Sequence, residues 1–255
     1  MLRRKPLISI VGAGPGDPEL ITIKGLKAIQ LAEVILYDAL SSEKLLEHAK
    51  DGAELIYVGK RCGQHSLKQE DINALLLTKS RQFKYIVRLK GGDPFIFGRG
   101  HEEYESLAKF NLDIEIIPGI SSSTCLPLLQ KVPLTRRNIS ESFWVLTGTT
   151  KNHEISQDVY DSSRSNATVV ILMGLRKLKE IANIFQKAGK GKTPMMVIVN
   201  GSRINEEVHL STVDQTIQNR SINPTQGPGI IIIGEVVSLH PNFIKQVKKV
   251  SYEYS

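Results

Sequence analysis

Cysteine is scarce in this chain of 255 residues, with Cys62 and Cys125 the only two. That number offers neither a disulfide framework nor a CxxC metal site, and it agrees with a reducing compartment. Long apolar runs are also missing. A membrane-spanning helix needs about 20 consecutive apolar residues, whereas runs such as IIII at 230–233 are strand-length. The start, MLRRKP, leads into a strand without the apolar h-region of a signal peptide. A cytoplasmic protein with no membrane partner is expected. No GxSxG nucleophile elbow and no Gly-Lys-Ser/Thr phosphate loop are present. The histidines at 48, 65, 101, 153, 209 and 240 are scattered, and His101-Glu102-Glu103 lacks the second histidine of a zinc helix. No metal is expected.

Charge is unbalanced, with a formal net charge of +7. Nucleic acid would require a basic stripe interleaved with aromatics or a recognisable module, and neither occurs. Part of the excess lies near the two ends, at Arg3, Arg4 and Lys5 and over residues 245–249. The excess reads either as a solvated basic surface or as the counterpart of a small polyanionic substrate.

What is present is an alternation of β-rich runs and amphipathic segments. Strands are predicted at 7–11, 34–37, 54–58, 85–89 and 114–117, and helices at 24–31, 41–50, 68–78 and 99–110. Such βαβ succession predicts a mostly parallel sheet. Pro118-Gly119 interrupts the pattern. A second set of strands is predicted at 143–146, 167–173, 195–199, 208–210 and 230–233, with a helix over 175–188 closed by Gly189, and loops over 161–166 and 219–229. The reading is α/β: two tandem α/β domains, residues 1–119 and 120–255, with a ligand site in the cleft between them.

Two glycine-rich loops carry the chemistry. Residues 91–100, GGDPFIFGRG, follow the strand-like run 85–90 and place an apolar island, Phe95-Ile96-Phe97, between an acid and a base. Glycine permits close backbone approach, and loops at the carboxyl ends of strands build the sites of open α/β sheets. Asp93 would repel a phosphate, so a neutral or cationic cofactor fits better. The other loop, GAGPGDP at 12–18, invites a dinucleotide-binding reading, with Asp38 near the position of a ribose-binding acid. Asp17 stands where that fingerprint requires a third glycine, and Pro15 and Asp17 hinder the helix N-terminus that would hold a pyrophosphate. A nicotinamide oxidoreductase and a tight turn with no ligand both stay open for this loop alone.

Eight strings in order bring in a resemblance. VGAGPGDPELITIKG at 11–25, YDALSS at 37–42, VGKRCGQHS at 58–66, RLKGGDPFIFGRGHEE at 88–103, PGISS at 118–122, PLTRR at 133–137, LMG at 172–174 and NGS at 200–202 resemble the uroporphyrinogen-III C-methyltransferases, within the tetrapyrrole methylase superfamily. The likeness covers nearly the whole chain. It implies a homodimer that binds S-adenosylmethionine, releases S-adenosylhomocysteine, and methylates a polycarboxylate tetrapyrrole, uroporphyrinogen III, at C2 and C7 to give precorrin-2.

The same resemblance implies cofactor contacts at Pro15, Gly91, Gly92, Asp93, Ile96, Ser121, Ser122, Met173, Gly201 and Gly229, and implies Asp38 as proton acceptor and Lys60 as proton donor. Physical chemistry agrees with several of these. Asp93 can accept from an ammonium group, the paired glycines leave backbone uncovered, and Ile96 and Met173 supply apolar surface. Arg61, Arg99, Arg136 and Arg137 lie within matched motifs and are expected to pair with substrate carboxylates. Glu102, one turn after Arg99, would hold that arginine, take a proton, or form an ordinary surface pair. The chain departs from the family's habit at Ser121-Ser122, Val199 and Thr149. Rival readings are a sister methylase acting on a later precorrin, and a non-catalytic binder of anionic tetrapyrroles.

Overall fold

Contiguous Val, Ile and Leu runs set the strand positions, because strands buried on both faces have no solvent side to leave polar. In a computed structural model of the chain, residues 7–59, 68–218 and 227–243 are described. Its contacts divide it into two compact units, Met1–Ser121 and Ser122–Ser255.

The first unit runs β1 (Leu7–Gly12), α1 (Ile23–Leu31), β2 (Val34–Tyr37), β3 (Glu54–Tyr57), α2 (Gln69–Ser80), β4 (Tyr85–Lys90), α3 (Gly100–Ala108) and β5 (Asp113–Ile117). All five strands are parallel, in the order β3-β2-β4-β1-β5, which makes β4 the central strand. Residues 41–50, expected as a helix, form a short 3-10 helix over Glu43–His48. Apolar side chains cover both sheet faces. Val11, Ile35, Val87 and Leu89 pack with Ile29 of α1 on one side, and Ile8, Leu36 and Ile86 pack with Leu76 of α2 and Leu107 of α3 on the other.

The second unit runs α4 (Ser122–Leu129), β6 (Phe143–Thr147), α5 (Gln157–Ser162), β7 (Thr168–Leu172), α6 (Leu178–Phe185), β8 (Pro194–Val199), β9 (Glu207–Thr212), α7 (Val213–Gln218) and β10 (Gly229–Ile233). Its sheet order is β6-β7-β10-β8-β9, with only the β6–β7 pair parallel. The helix predicted over 175–188 is segmented: a 3-10 turn, Leu175–Lys177, precedes α6, and a wider turn over Gln186–Lys190 follows, where Gly189 adopts φ 83°. That left-handed backbone ends the helix where the sequence placed a glycine stop. Residues 161–162, expected in a loop, close α5. Among the described residues no helix is long and apolar enough to cross a membrane.

Candidate active site

Because β1, β2, β4 and β5 are parallel, the loops after them leave from one edge of the first sheet. The GGDPFIFGRG loop begins there at the end of β4. The Gly92 N–H donates to the Gly14 carbonyl at 2.7 Å and the Gly14 N–H returns a bond to the Gly92 carbonyl at 3.3 Å. Both glycines are left-handed, with φ 69° and 81°. A Cβ on Gly12 would lie 2.5 Å from the Gly119 Cα and 2.7 Å from the Gly92 oxygen. Three loops therefore meet backbone to backbone, which only glycine permits. Gly91 likewise abuts Leu40, in the turn after β2.

This seam decides the role of residues 12–18. The first helical segment after the glycines is a 3-10 turn over Pro18–Leu20, started by Asp17, whose Oδ1 accepts the Glu19 N–H at 3.0 Å. Helix α1 starts only at Ile23, capped by Thr22. No helix N-terminus opens on the glycines, so the pyrophosphate cradle of a nicotinamide enzyme is not built here. The glycines serve loop contact, and half-buried Pro15 lies between them.

Asp93 clasps two loops. Its Oδ1 accepts the Phe95 N–H at 2.9 Å and its Oδ2 accepts the Gly119 N–H at 3.2 Å. A carboxylate offers about four lone-pair positions, so acceptor capacity remains for an ammonium group. Beyond it Phe95, Ile96 and Phe97 are exposed by 41 to 49%, large apolar side chains left facing solvent on one loop. Arg99, left-handed at φ 59°, pairs with Glu102 through Nε at 2.9 Å and Nη2 at 2.6 Å. That bond, then the charge on Glu102, holds the guanidinium pKa above its ordinary value. The pair is about half exposed. Glu102 thus holds the Arg99 guanidinium in a pair at the surface.

Asp38 follows β2 and is the most constrained of the candidate acids. Its Oδ1 accepts the Leu40 N–H at 3.1 Å, and the Ser41 hydroxyl lies 3.3 Å from both that oxygen and the Leu89 carbonyl. Its Oδ2 accepts from Arg88 Nη2 at 3.2 Å. Arg88, Lys90 and Glu103, buried at 3%, 4% and 0% exposure, continue the network. Glu103 Oε1 accepts from Arg88 Nε at 3.2 Å, Lys90 Nζ at 2.9 Å and Gln69 Nε2 at 2.9 Å. Burial, followed by the neighbouring Arg88 charge, lowers the Lys90 pKa; Glu103 and Asp38 oppose the shift.

In the second unit Met173 follows β7 and Gly201 follows β8, while Gly229 opens β10. The antiparallel register, with Gly229 opposite Val199 and Ile230 opposite Leu172, brings these three positions to one edge. Met173 is 55% exposed and left-handed at φ 55°; its carbonyl accepts from Thr149 Oγ1 at 3.2 Å. Asn200 and Ser202 are left-handed on either side of Gly201. Gly201 is pressed against Leu126 of α4, a helix that starts at Ser122. Left-handed non-glycine residues cost of order 1–3 kcal/mol each. Among the described residues, five of the eight, namely Phe97, Arg99, Met173, Asn200 and Ser202, fall in the candidate loops.

Asp38, Gly91, Gly92 and Asp93 thus stand together on one sheet edge, and buried Ser121 ends the chain segment of that unit. Arg136 and Arg137 are exposed in a turn closed by the Arg136 and Ser140 backbones at 2.8 and 3.0 Å. Lys60 and Arg61 lie outside the described residues. Sequence reasoning missed Arg88, Lys90, Glu103 and Asn200. The signal for the first two was a pair of cations at alternate positions of an otherwise apolar strand, and for Glu103 its spacing from Leu107 on the buried side of α3. Among the described residues no group of three or more His, Cys, Asp or Glu could hold a metal.

The profile of the family described as Tetrapyrrole (Corrin/Porphyrin) Methylases matches residues 7–216. A uroporphyrinogen-III C-methyltransferase of Methanocaldococcus jannaschii is 47% identical over 91% of this chain and 97% of its own length. A siroheme synthase of Actinobacillus succinogenes is 42% identical over 93% of this chain, which spans only 50% of that protein. The crystal structure of uroporphyrin-III C-methyl transferase from Thermus thermophilus, complexed with S-adenyl homocysteine, is similar with a TM-score of 0.79 and 34% identity, covering 91% of this chain and 99% of the other. With a family profile spanning most of its length and a close relative matched nearly end to end, the chain belongs to the tetrapyrrole methylases.

Proposed function

We propose that this methylase transfers methyl groups from S-adenosylmethionine to C2 and C7 of uroporphyrinogen III, giving precorrin-2 and S-adenosylhomocysteine, and that it acts as a homodimer in the cytoplasm. The observation that carries the reading is the loop after β4. It joins side-chain-free backbone at Gly91 and Gly92, a carboxylate at Asp93, exposed apolar surface at residues 95–97 and a cation at Arg99. Those groups suit an ammonium-bearing sulfonium cofactor on one side and a polycarboxylate acceptor on the other. Ile96 and Met173 are proposed as apolar contacts to the cofactor, with Pro15, Ser121, Ser122, Gly201 and Gly229 as further contacts.

When bound, the sulfonium supplies an electrophilic methyl group. The protein's own work is orientation and proton removal. Displacement on a methyl group by an electron-rich pyrrole carbon needs no acid, so holding the partners in line dominates, worth on the order of 7–11 kcal/mol when alignment is near ideal. Quaternising the ring carbon leaves an iminium-like π system that must lose a proton. Asp38, fixed on three sides by protein donors, is the proposed acceptor. Lys60 is proposed as proton donor and carboxylate partner, and Arg61, Arg99, Arg136 and Arg137 as further partners of the substrate's acid arms.

The test is anaerobic incubation with uroporphyrinogen III and S-adenosylmethionine, followed by mass spectrometry of the tetrapyrrole. A gain of two methyl groups is expected. Cofactor binding without methyl incorporation would remove the acceptor assignment.

A further inference from the structure

The α2/α3 face of the first sheet changes character along β4. Ile86 joins the apolar cluster with Leu76 and Leu107, whereas Arg88 and Lys90, two and four residues on, meet Glu103, which also accepts from Gln69. Two cations and one anion are thus buried at 5% side-chain exposure or less, and Asp38, at 22%, is the charged member of the network that reaches solvent. Four charges of zero net sum are costly to desolvate, and apolar residues of similar volume usually serve stability as well or better. The arrangement therefore asks for a role that packing would not fill.

Arg88 supplies it. Every nitrogen of its guanidinium is engaged: Nε with Glu103, Nη1 with the Leu89 carbonyl at 2.7 Å, and Nη2 with Asp38. A planar fork held at both ends transmits direction, which a flexible ammonium would not. Glu103 also draws in Lys90, the residue directly before Gly91, through the same Oε1 that holds Arg88. Its Oε2 is buried with no hydrogen-bond partner among the described residues. The side-chain hydrogen bonds of Glu103 thus converge on one oxygen, between the Asp38 turn and the start of the loop after β4.

We propose that Glu103 is a positioning residue for proton removal, acting through Arg88 to fix the direction of the Asp38 carboxylate. Replacement by glutamine keeps the shape and one acceptor oxygen but removes the charge that orients the Arg88 fork. Asp38 then retains its backbone and Ser41 contacts while its Arg88 contact loosens. Turnover should fall and cofactor affinity should not.

This inference rests on Asp38 as the proton acceptor, and a double-mutant cycle separates the two. Single-turnover transfer of labelled methyl and cofactor Kd are measured for Glu103→Gln, Asp38→Asn and the double variant, with far-UV circular dichroism as a check on folding. Glu103→Gln should lower the rate about ten- to a hundredfold with Kd within about twofold, and should change the rate of Asp38→Asn by less than about twofold. Arg88→Lys, which keeps the charge but cannot span both acids, should give the same pattern. Should Asp38→Asn turn over at the wild-type rate, the acceptor reading falls and the inference with it. Should Asp38→Asn be slow while Glu103→Gln is as fast as wild type, or lowers both backgrounds equally, the inference alone falls. Loss of the fold in both Glu103→Gln and Arg88→Lys would assign the network to stability and overturn the positioning role.

Discussion

Asp93 accepts the Gly119 N–H at 3.2 Å, and this bond ties the loop after β4 to the loop after β5. The same carboxylate is the proposed acceptor for the cofactor's ammonium group, so the proposal gives one side chain both the clasp and the ligand role. Hydrogen bonds to charged groups contribute about 1.5–3 kcal/mol, or roughly 10- to 100-fold in affinity. Asp93→Ala should therefore raise the cofactor Kd by that factor and lower the melting temperature as well, because two backbone donors lose their acceptor. Asp93→Asn keeps an acceptor oxygen and should lie between. Calorimetric titration paired with thermal melts checks both, and an unchanged Kd in Asp93→Ala would remove the ligand role.

The glycine seam behind that clasp makes a second prediction. An added Cβ at Gly12 meets backbone of Gly119 and Gly92 rather than a flexible side chain, so neither neighbour can yield cheaply. Gly12→Ala should destabilise by about 1–3 kcal/mol, the usual range for overpacking, and should weaken cofactor binding because the Gly92 loop must shift. Gly52, left-handed at φ 79° before β3, has open space where a methyl group would stand and sits at the opposite edge of the parallel sheet. Gly52→Ala should cost about 1–2 kcal/mol through backbone strain alone and leave Kd unchanged. Chemical denaturation and cofactor titration of the two variants decide whether the seam matters to binding.

Arg99 and Glu102 present a different balance. Both are about half exposed, and solvent screens such pairs to roughly 0–1 kcal/mol of stability. Arg99→Ala and Glu102→Ala should therefore leave the melting temperature nearly unchanged. If Arg99 meets a substrate carboxylate, its loss removes binding that ground and transition states share, and the substrate KM rises about tenfold or more with kcat little altered. Glu102→Ala should raise KM less, since it releases Arg99 from its preset orientation without removing the charge. Steady-state kinetics with the porphyrinogen separates these outcomes; equal KM in all three proteins would assign the pair to the surface.

How far the sequence revealed this site depends on which residues carry it. Strands β2 and β10 were readable because VILY and GIIII are apolar runs of strand length bounded by polar or turn-forming neighbours. Helices α5 and α7 were not, being six residues each and largely polar, too short for a helical period to emerge. The GGDPFIFGRG loop announced a ligand through its composition. The Arg88–Glu103–Lys90 cluster did not, since Glu103 stands 13 to 15 residues from the two cations and all three look like strand and helix surface until the fold stacks α3 on β4. The left-handed backbone at Met173 was equally hidden, because methionine gives no warning of positive φ, whereas Asn200 belongs to a residue type enriched there.

His240 supplies a pH test of the second unit. Burial, then the nearby Lys131 charge, lowers its pKa below the ordinary 6.5, and its Nδ1 accepts the Asn242 N–H at 3.1 Å, which requires that nitrogen to be unprotonated. Between the lowered folded value and 6.5 the unfolded chain binds more protons than the folded one, so stability rises with pH across that window. Acidification from the ordinary value should progressively destabilise the protein, with the full loss reached below the folded value. His240→Gln has no proton to gain there and should flatten this part of the profile while the carboxylate-driven loss at lower pH persists. Thermal melts of wild type and variant at closely spaced pH values measure the difference, and parallel profiles through the window would show that His240 does not contribute to it.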